Sequence, residues 1–319
     1  MFYLTKMSKR IIATFSVLLM IAIVLVMSVS AEGDLNDQVE PQYTTRYISV
    51  TEYDFVTDTE RTYQMSYRVY DLMSDVPEYE LNDETELVSP MEVIPDDECE
   101  WERVPSGLYS TYPYSAICSL YSGGRGTAFI VGDRIALTAA HCVYEEGTWS
   151  TEAYILPHAS GNRSNSYIVN NGVRALKVII PTAYKTNAIT GNDWAILILE
   201  EDVGAENGIL PLDITAPTVG NQVTTIGYPR EGVGGVVRYM HESPGEILMV
   251  ATNYIRYNCD TYYGNSGGPV IKESVVNGTT RYNVIAIHSR MGGNATYNLA
   301  CRIDLALSSI VKALDVEYD

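Results

Sequence analysis

Basic residues are scarce in this chain. Twenty-one Lys and Arg stand against 40 Asp and Glu, for a formal net charge of −19 over 319 residues. With no basic patch to displace counterions from phosphate, the composition argues against a nucleic-acid partner. Phe is nearly missing, at 4 against 25 Tyr, and His is as rare, at 4. The five Cys fall at no spacing that reads as a zinc site, and no cofactor or metal motif is found. Beyond the N-terminus there is no long apolar run, no internal repeat and, before Asp304, no extended helical stripe.

What is present begins with an N-terminal address. Lys6, Lys9 and Arg10 precede an apolar run from Ile11 to Val29, closed by Val29-Ser30-Ala31. A basic stretch, an apolar stretch and a small-residue cleavage site predict a signal peptide over 1–31 and a secreted, extracellular protein. The alternative is an uncleaved membrane anchor, since the run is almost long enough to span a bilayer.

Residues 32–92 hold 16 acidic side chains against Arg46, Arg61 and Arg68. Tyr47–Val50 and Tyr63–Tyr70 carry β-formers in partial alternation and predict two short strands. Two strands alone are marginally stable, so the segment must lean on something else or stay partly disordered. Its place after a signal peptide reads as an acidic propeptide; the alternative is a small N-terminal domain kept in the mature protein.

From Val93 onward short apolar runs alternate with Gly, Pro and Asn turns: Ala116–Leu120, Thr127–Val131, Ile135–Thr138, Tyr154–Leu156, Ala175–Ile180, Trp194–Leu199, Gln222–Ile226, Glu246–Thr252, Pro269–Lys272 and Tyr282–Ile287. This spacing predicts an all-β sandwich or barrel. Leu305, Leu307, Ile310, Val311 and Leu314 predict one C-terminal helix over Asp304–Leu314, packed on the outside.

Three stretches carry chemistry. In Tyr263-Gly264-Asn265-Ser266-Gly267-Gly268-Pro269-Val270 a serine sits between glycines. Such a turn can push Ser266 Oγ outward and aim the amides of Gly264 and Ser266 at one point, as an oxyanion hole requires. In Leu137-Thr138-Ala139-Ala140-His141-Cys142 a histidine follows a small-residue strand end, and in Gly191-Asn192-Asp193-Trp194 an aspartate precedes an apolar strand. Each has a bland reading as a turn or core residue. Together, Asp193, His141 and Ser266 form a candidate orienter, general base and nucleophile.

The order His–Asp–Ser, with Thr-Ala-Ala-His-Cys and Gly-Asn-Ser-Gly-Gly-Pro, resembles the chymotrypsin-fold serine proteases. The resemblance implies two six-stranded antiparallel β-barrels over 93–319, divided near 200–210. The site would lie in the cleft, with His141 and Asp193 from the first barrel and Ser266 from the second. Tyr112-Pro113-Tyr114-Ser115-Ala116-Ile117-Cys118, Gly227-Tyr228-Pro229, Asp260-Thr261-Tyr262-Tyr263-Gly264 and Ile285-Ala286-Ile287-His288-Ser289 narrow the likeness to bacterial glutamyl endopeptidases of the V8 and Bacillus type.

That likeness implies a monomeric secreted endopeptidase acting on protein or peptide substrates, with its own propeptide as a partner. His288 and Thr261 would line the substrate pocket. A carboxylate entering a protein pocket loses hydration and needs fixed donors in return; an imidazole and a hydroxyl supply them, giving cleavage after Glu and less well after Asp. In relatives the freed N-terminus can help to recognise that carboxylate, and Glu86 and Glu92 are candidate maturation points.

Two departures from the animal enzymes stand out. Asn265 replaces the Asp that pairs with a new N-terminal amine there, and Arg125-Gly126-Thr127 stands where many relatives have a Cys that pairs with the one after the catalytic His. Cys142 is then free or paired with Cys118; a Cys259–Cys301 bridge is the first expectation, with Cys99 unpaired or joined to Cys118. Two other functions stay open: a basic specificity through Asp260, six residues before Ser266, and a catalytically silent protease-like binding module.

Overall fold

The computed structural model describes residues 43–70, 102–161, 163–231, 237–292 and 296–318. The expected signal peptide, the junctions at Glu86 and Glu92, and Cys99 lie outside the described residues. One compact unit holds Thr45–Val69 with Asp75–Asp319; the other, Met1–Thr44 with Tyr70–Ser74, contributes only strand ends to the described residues. Among the described residues no helix is long and apolar enough to cross a membrane.

Strands β1 (Tyr43–Asp54) and β2 (Thr59–Tyr70) form a hairpin, and β3 (Glu102–Arg103) follows. Next come β4 (Ile117–Tyr121), β5 (Arg125–Gly132), β6 (Ile135–Thr138), a ribbon of β7 (Tyr144–Glu145) and β8 (Thr148–Trp149), β9 (Tyr154–Pro157), β10 (Val173–Pro181) and β11 (Ala195–Leu199). The order β11-β6-β5-β4-β9-β10, with β10 also paired to β11, closes a six-stranded antiparallel barrel. Closure pairs each of the six strands on both sides, β10 only over Val173 and Arg174 on its β9 side. Every residue of β6 and β11 is buried, because one face fills the barrel and the other is covered from outside.

The chain passes between Leu199 and Gln222 to a second barrel. It is built from β12 (Gln222–Gly227), the ribbon β13 (Arg230–Glu231) and β14 (Val237–Arg238), β15 (His241–Val250), β16 (Tyr254–Tyr257), β17 (Pro269–Val276), β18 (Thr279–Met291) and β19 (Asn298–Arg302). Its order is β12-β17-β18-β19-β16-β15, closed by β12 on β15, with β3 on the outer edge of β15. Asn277 and Gly278, both at positive φ, form the two-residue turn between β17 and β18. The C-terminal helix Leu305–Tyr318 buries Leu307, Ile310, Val311 and Leu314 against the core of the first barrel. Asp304 Oδ1 accepts from the Leu307 amide at 2.8 Å and caps its start.

All ten runs expected between residues 116 and 287 are barrel strands, and of the twelve strands that form the two barrels two were not anticipated. In β16 only four residues alternate, and β19 reads Asn-Leu-Ala-Cys-Arg, with a buried Asn298 in place of an apolar residue. β15 starts five residues before the expected Glu246 because Ser243-Pro244-Gly245, which reads as a turn, continues the ladder to Thr225, Thr224 and Val223.

The expected disulfides do not form: Cys118, Cys142, Cys259 and Cys301 are free thiols. Cys259 Sγ lies inside the second barrel, 3.7 Å from the Val223 carbonyl, whereas Cys301 Sγ points out of it, 3.4 Å from the Gly191 carbonyl. Side chains on opposite faces of a barrel wall cannot bridge.

Candidate active site

His141 and Asp193 come from turns at neighbouring strand ends of the first barrel. β6 stops at Thr138 and a short 3-10 turn over Ala140–Cys142 swings His141 out; a second such turn over Thr190–Asn192 ends on Asp193 just before β11. Because Thr138 pairs with Ala195, the two turns are adjacent. Asp193 holds the ring Nδ1 and the backbone N–H of His141: Oδ2 lies 2.8 Å from Nδ1, and Oδ1 accepts from the backbone N–H at 3.0 Å. The Ser289 hydroxyl donates to the same Oδ2.

Burial pushes the Asp193 carboxyl up, but His141, Arg290 and Ser289 outweigh it and hold it at about 2. For His141 burial pushes down, while Asp193 and Cys142 push up by more, leaving it well above 6.5. The pair therefore favours a charged carboxylate that orients and stabilises an imidazolium. His141 Nε2 is buried and has no hydrogen-bond partner among the described residues.

Ser266 approaches from the second barrel. Gly264 sits at φ 105° and Gly267 at φ 82°, conformations natural only to glycine. A Cβ on Gly267 would come within 2.0 Å of Thr138 Oγ1. Thr127 clamps the loop, its hydroxyl donating to the Gly264 carbonyl at 2.7 Å and its amide to the Ser266 carbonyl at 2.8 Å. The amides of Asn265, Gly267 and Gly268 donate to Tyr262, His288 and Asn265 carbonyls. Among the described residues those of Gly264 and Ser266 donate to nothing, which leaves two alternate N–H groups of one turn available. His141, Ser266 and Gly264 line one recess of about 610 Å³ with Trp149 and Arg230.

His288 and Thr261 share a second, narrow recess of about 20 Å³ with Ser266, Ser289 and Arg290. Burial, and then His141, lower the His288 imidazole to about 3, so it is neutral at physiological pH. Its Nδ1 lies 2.6 Å from the Tyr257 phenol. The Thr261 hydroxyl donates to Asn298 Oδ1 at 2.8 Å, so an entering carboxylate competes with Asn298 for that proton. Asp260 is buried and is not among the residues lining this recess.

Sequence reasoning missed Ser289, Arg290, Tyr257 and Asn298. Ser289 and Arg290 directly follow His288 on one strand, which was the available signal; Tyr257 and Asn298 sit on the two unanticipated strands. Among the described residues there is no group of three or more His, Cys, Asp or Glu side chains suited to a metal ion.

The family model described as Trypsin matches residues 106–307, more than half of the chain. The chain belongs to the trypsin family. A glutamyl endopeptidase of Bacillus licheniformis is 30% identical over 204 residues, 61% of each protein, so the chain spans under two thirds of that relative's length. A Bacillus subtilis protein named extracellular metalloprotease is 26% identical over 234 residues, 70% of each. Among solved structures, a Glu endopeptidase in complex with MPD matches with a TM-score of 0.58 at 22% identity, covering 70% of this chain and 99% of that one. The protease Anisep from Arthrobacter nicotinovorans matches at 0.51 and 18%, covering 64% and 97%. At these identities the structures establish the trypsin-family fold alone.

Proposed function

We propose that this trypsin-family chain is a secreted, monomeric serine endopeptidase that cleaves protein or peptide chains after Glu, and less well after Asp. The observation that carries the reading is the pairing of an Asp193-bound His141, free at Nε2, with a Ser266 loop whose alternate amides are unspent. Ser266 Oγ attacks the scissile carbonyl while His141 Nε2 takes its proton. The amides of Gly264 and Ser266 receive the oxyanion, and Asp193 steadies the imidazolium. His141 then protonates the departing amine, and water, activated by the same imidazole, frees the acyl group from Ser266.

Selection of Glu rests on His288 with Thr261. A neutral imidazole has one N–H; in the tautomer in which Tyr257 donates to Nδ1, that proton sits on Nε2, available to a carboxylate. The name of the Bacillus licheniformis relative agrees with this specificity. Asp260, outside the recess, gives no support to a basic preference. Residues 1–31 are read as a signal peptide and 32–92 as a propeptide severed from the enzyme by cleavage near Glu86 or Glu92.

The deciding experiment incubates the secreted protein with a mixed peptide library and reads the residue before each cut by mass spectrometry. Glu is expected to dominate; faster cutting after Lys or Arg would overturn the assignment of His288. Labelling by an active-site serine reagent, lost in Ser266→Ala, separates an enzyme from a silent binding module.

A further inference from the structure

The hairpin β1–β2 belongs to the segment read as a propeptide, yet it is built into the first barrel. β11 occupies one edge of β10 over Ala175–Ile179. On the other edge β9 reaches only Val173 and Arg174. β1 covers the rest, with Val50 through Asp54 opposite Pro181 through Lys177, and the Phe55 amide donating to the Leu176 carbonyl at 2.9 Å. Without it β10 would present a bare edge. Val50 and Phe55 are part of the barrel's core cluster, and Ile48, Tyr53, Tyr63 and Met65 pack against it.

Two carboxylates on the hairpin tie it down. Glu52 is 4% exposed and accepts two bonds from Arg61 at 2.9 Å and one from Tyr63 at 3.1 Å, while Lys177 of the barrel lies 3.5 Å away. Glu60 accepts from Trp149 Nε1 and from Lys185 Nζ, each at 2.5 Å, and the Tyr53 ring stacks on Trp149 at 5.1 Å and 7°. Trp149 lines the recess shared by His141 and Ser266. Lys185 lines the adjoining recess of about 370 Å³, which also has His141, Ser289 and Arg290 on its walls.

We propose that this hairpin is a docked partner of the first barrel: it stays bound, non-covalently, when the chain between residues 71 and 101 is cut, and through Glu60 it holds one wall of the substrate cleft. The mature form is then a nicked two-chain enzyme. This rests on the propeptide reading only for the cut itself. Main-chain pairing supplies the affinity, as in other strand additions, and returning the buried Val50 and Phe55 to water would cost their apolar burial.

The test uses the full chain carrying Ser266→Ala, with the recognition sequence of an unrelated cysteine protease placed between Asn82 and Asp83. After complete cutting, gel filtration and native mass spectrometry at micromolar protein are expected to find the N-terminal piece travelling with 83–319, and Val50→Asp is expected to release it. A wild-type piece that elutes alone, whether or not the barrels stay folded, overturns the proposal. In the active enzyme, Glu60→Gln is expected to raise KM for peptides extended before the cleaved bond by about fivefold, with little change for a single-residue substrate. An unchanged KM sinks the cleft part. Whether the native chain is cut is read separately, from the N-terminal sequence of the secreted protein. A single start at Glu32, with none near Leu87–Val93, would remove the propeptide reading and leave the docking result standing.

Discussion

The phenol oxygen of Tyr257 lies 2.6 Å from Nδ1 of His288, edge-to-face across 6.1 Å between ring centroids, and both residues are buried. The contact holds the imidazole ring by Nδ1 and leaves Nε2 for the substrate. Tyr257→Phe is therefore expected to raise KM for Glu substrates about tenfold, the worth of one buried hydrogen bond. kcat should change little. Peptides with an apolar residue before the bond serve as the control; an equal loss on both would mean a purely structural tyrosine.

Ser266→Ala and His141→Ala are each expected to cut kcat by about ten-thousand-fold or more, with folding, read by near-UV circular dichroism, intact. Retained peptidase activity in purified Ser266→Ala would remove the nucleophile assignment.

The pH profile follows from the His141–Asp193 pair. His141 must be neutral to take the Ser266 proton, and it is raised well above 6.5. The acid limb of kcat/KM is expected above 6.5. Asp193→Asn removes the anion that raises it and should slow the reaction and move the limb to lower pH. Stability has the opposite sense for Asp193 itself. A carboxyl depressed from 3.8 to about 2 contributes stability above 3.8 that is lost as pH falls towards 2. A wild-type limb below 6.5 would contradict the pair's geometry.

Gly267→Ala tests the loop. At φ 82°, with a Cβ 2.0 Å from Thr138 Oγ1 and 2.3 Å from the Thr127 carbonyl, the turn cannot hold a side chain. A loss of roughly 3 kcal/mol or more in unfolding free energy is expected from strain and clash together, measured by denaturant titration. A loss under about 1 kcal/mol would mean that the loop relaxes freely.

Gly126→Cys tests the missing bridge. A Cβ at Gly126 would stand 3.1 Å from Cys142 Sγ, within reach of an S–S bond. The introduced thiol is expected to form a disulfide with Cys142 and to add about 3 kcal/mol of stability by closing that loop, read by thiol titration and thermal melting. A free-thiol count that rises by one would show that the site does not close.

Much of this protein was legible along the chain because the signals are local. The ten expected strands follow from short β-forming runs, and Ser266, His141 and Asp193 could be singled out because glycines, small residues and an apolar strand flank them. What failed depended on facing. Cys259 and Cys301 are on neighbouring stretches of the second barrel, and only the barrel wall decides that one thiol points in and the other out. Tyr257 and Asn298 carry polar atoms into a core, against the pattern by which strands are recognised.

The sequence by itself determined the order of strands, the glycine-rich turn at Ser266 and the candidate base and orienter, all consequences of residue type and spacing. The tertiary structure alone decided which groups meet. It puts Ser289 on Asp193 and Tyr257 on His288, spends the Thr261 proton on Asn298, and seats the acidic hairpin on β10. Those pairings join residues far apart in the chain, and barrel closure is what brings their side chains within bonding distance.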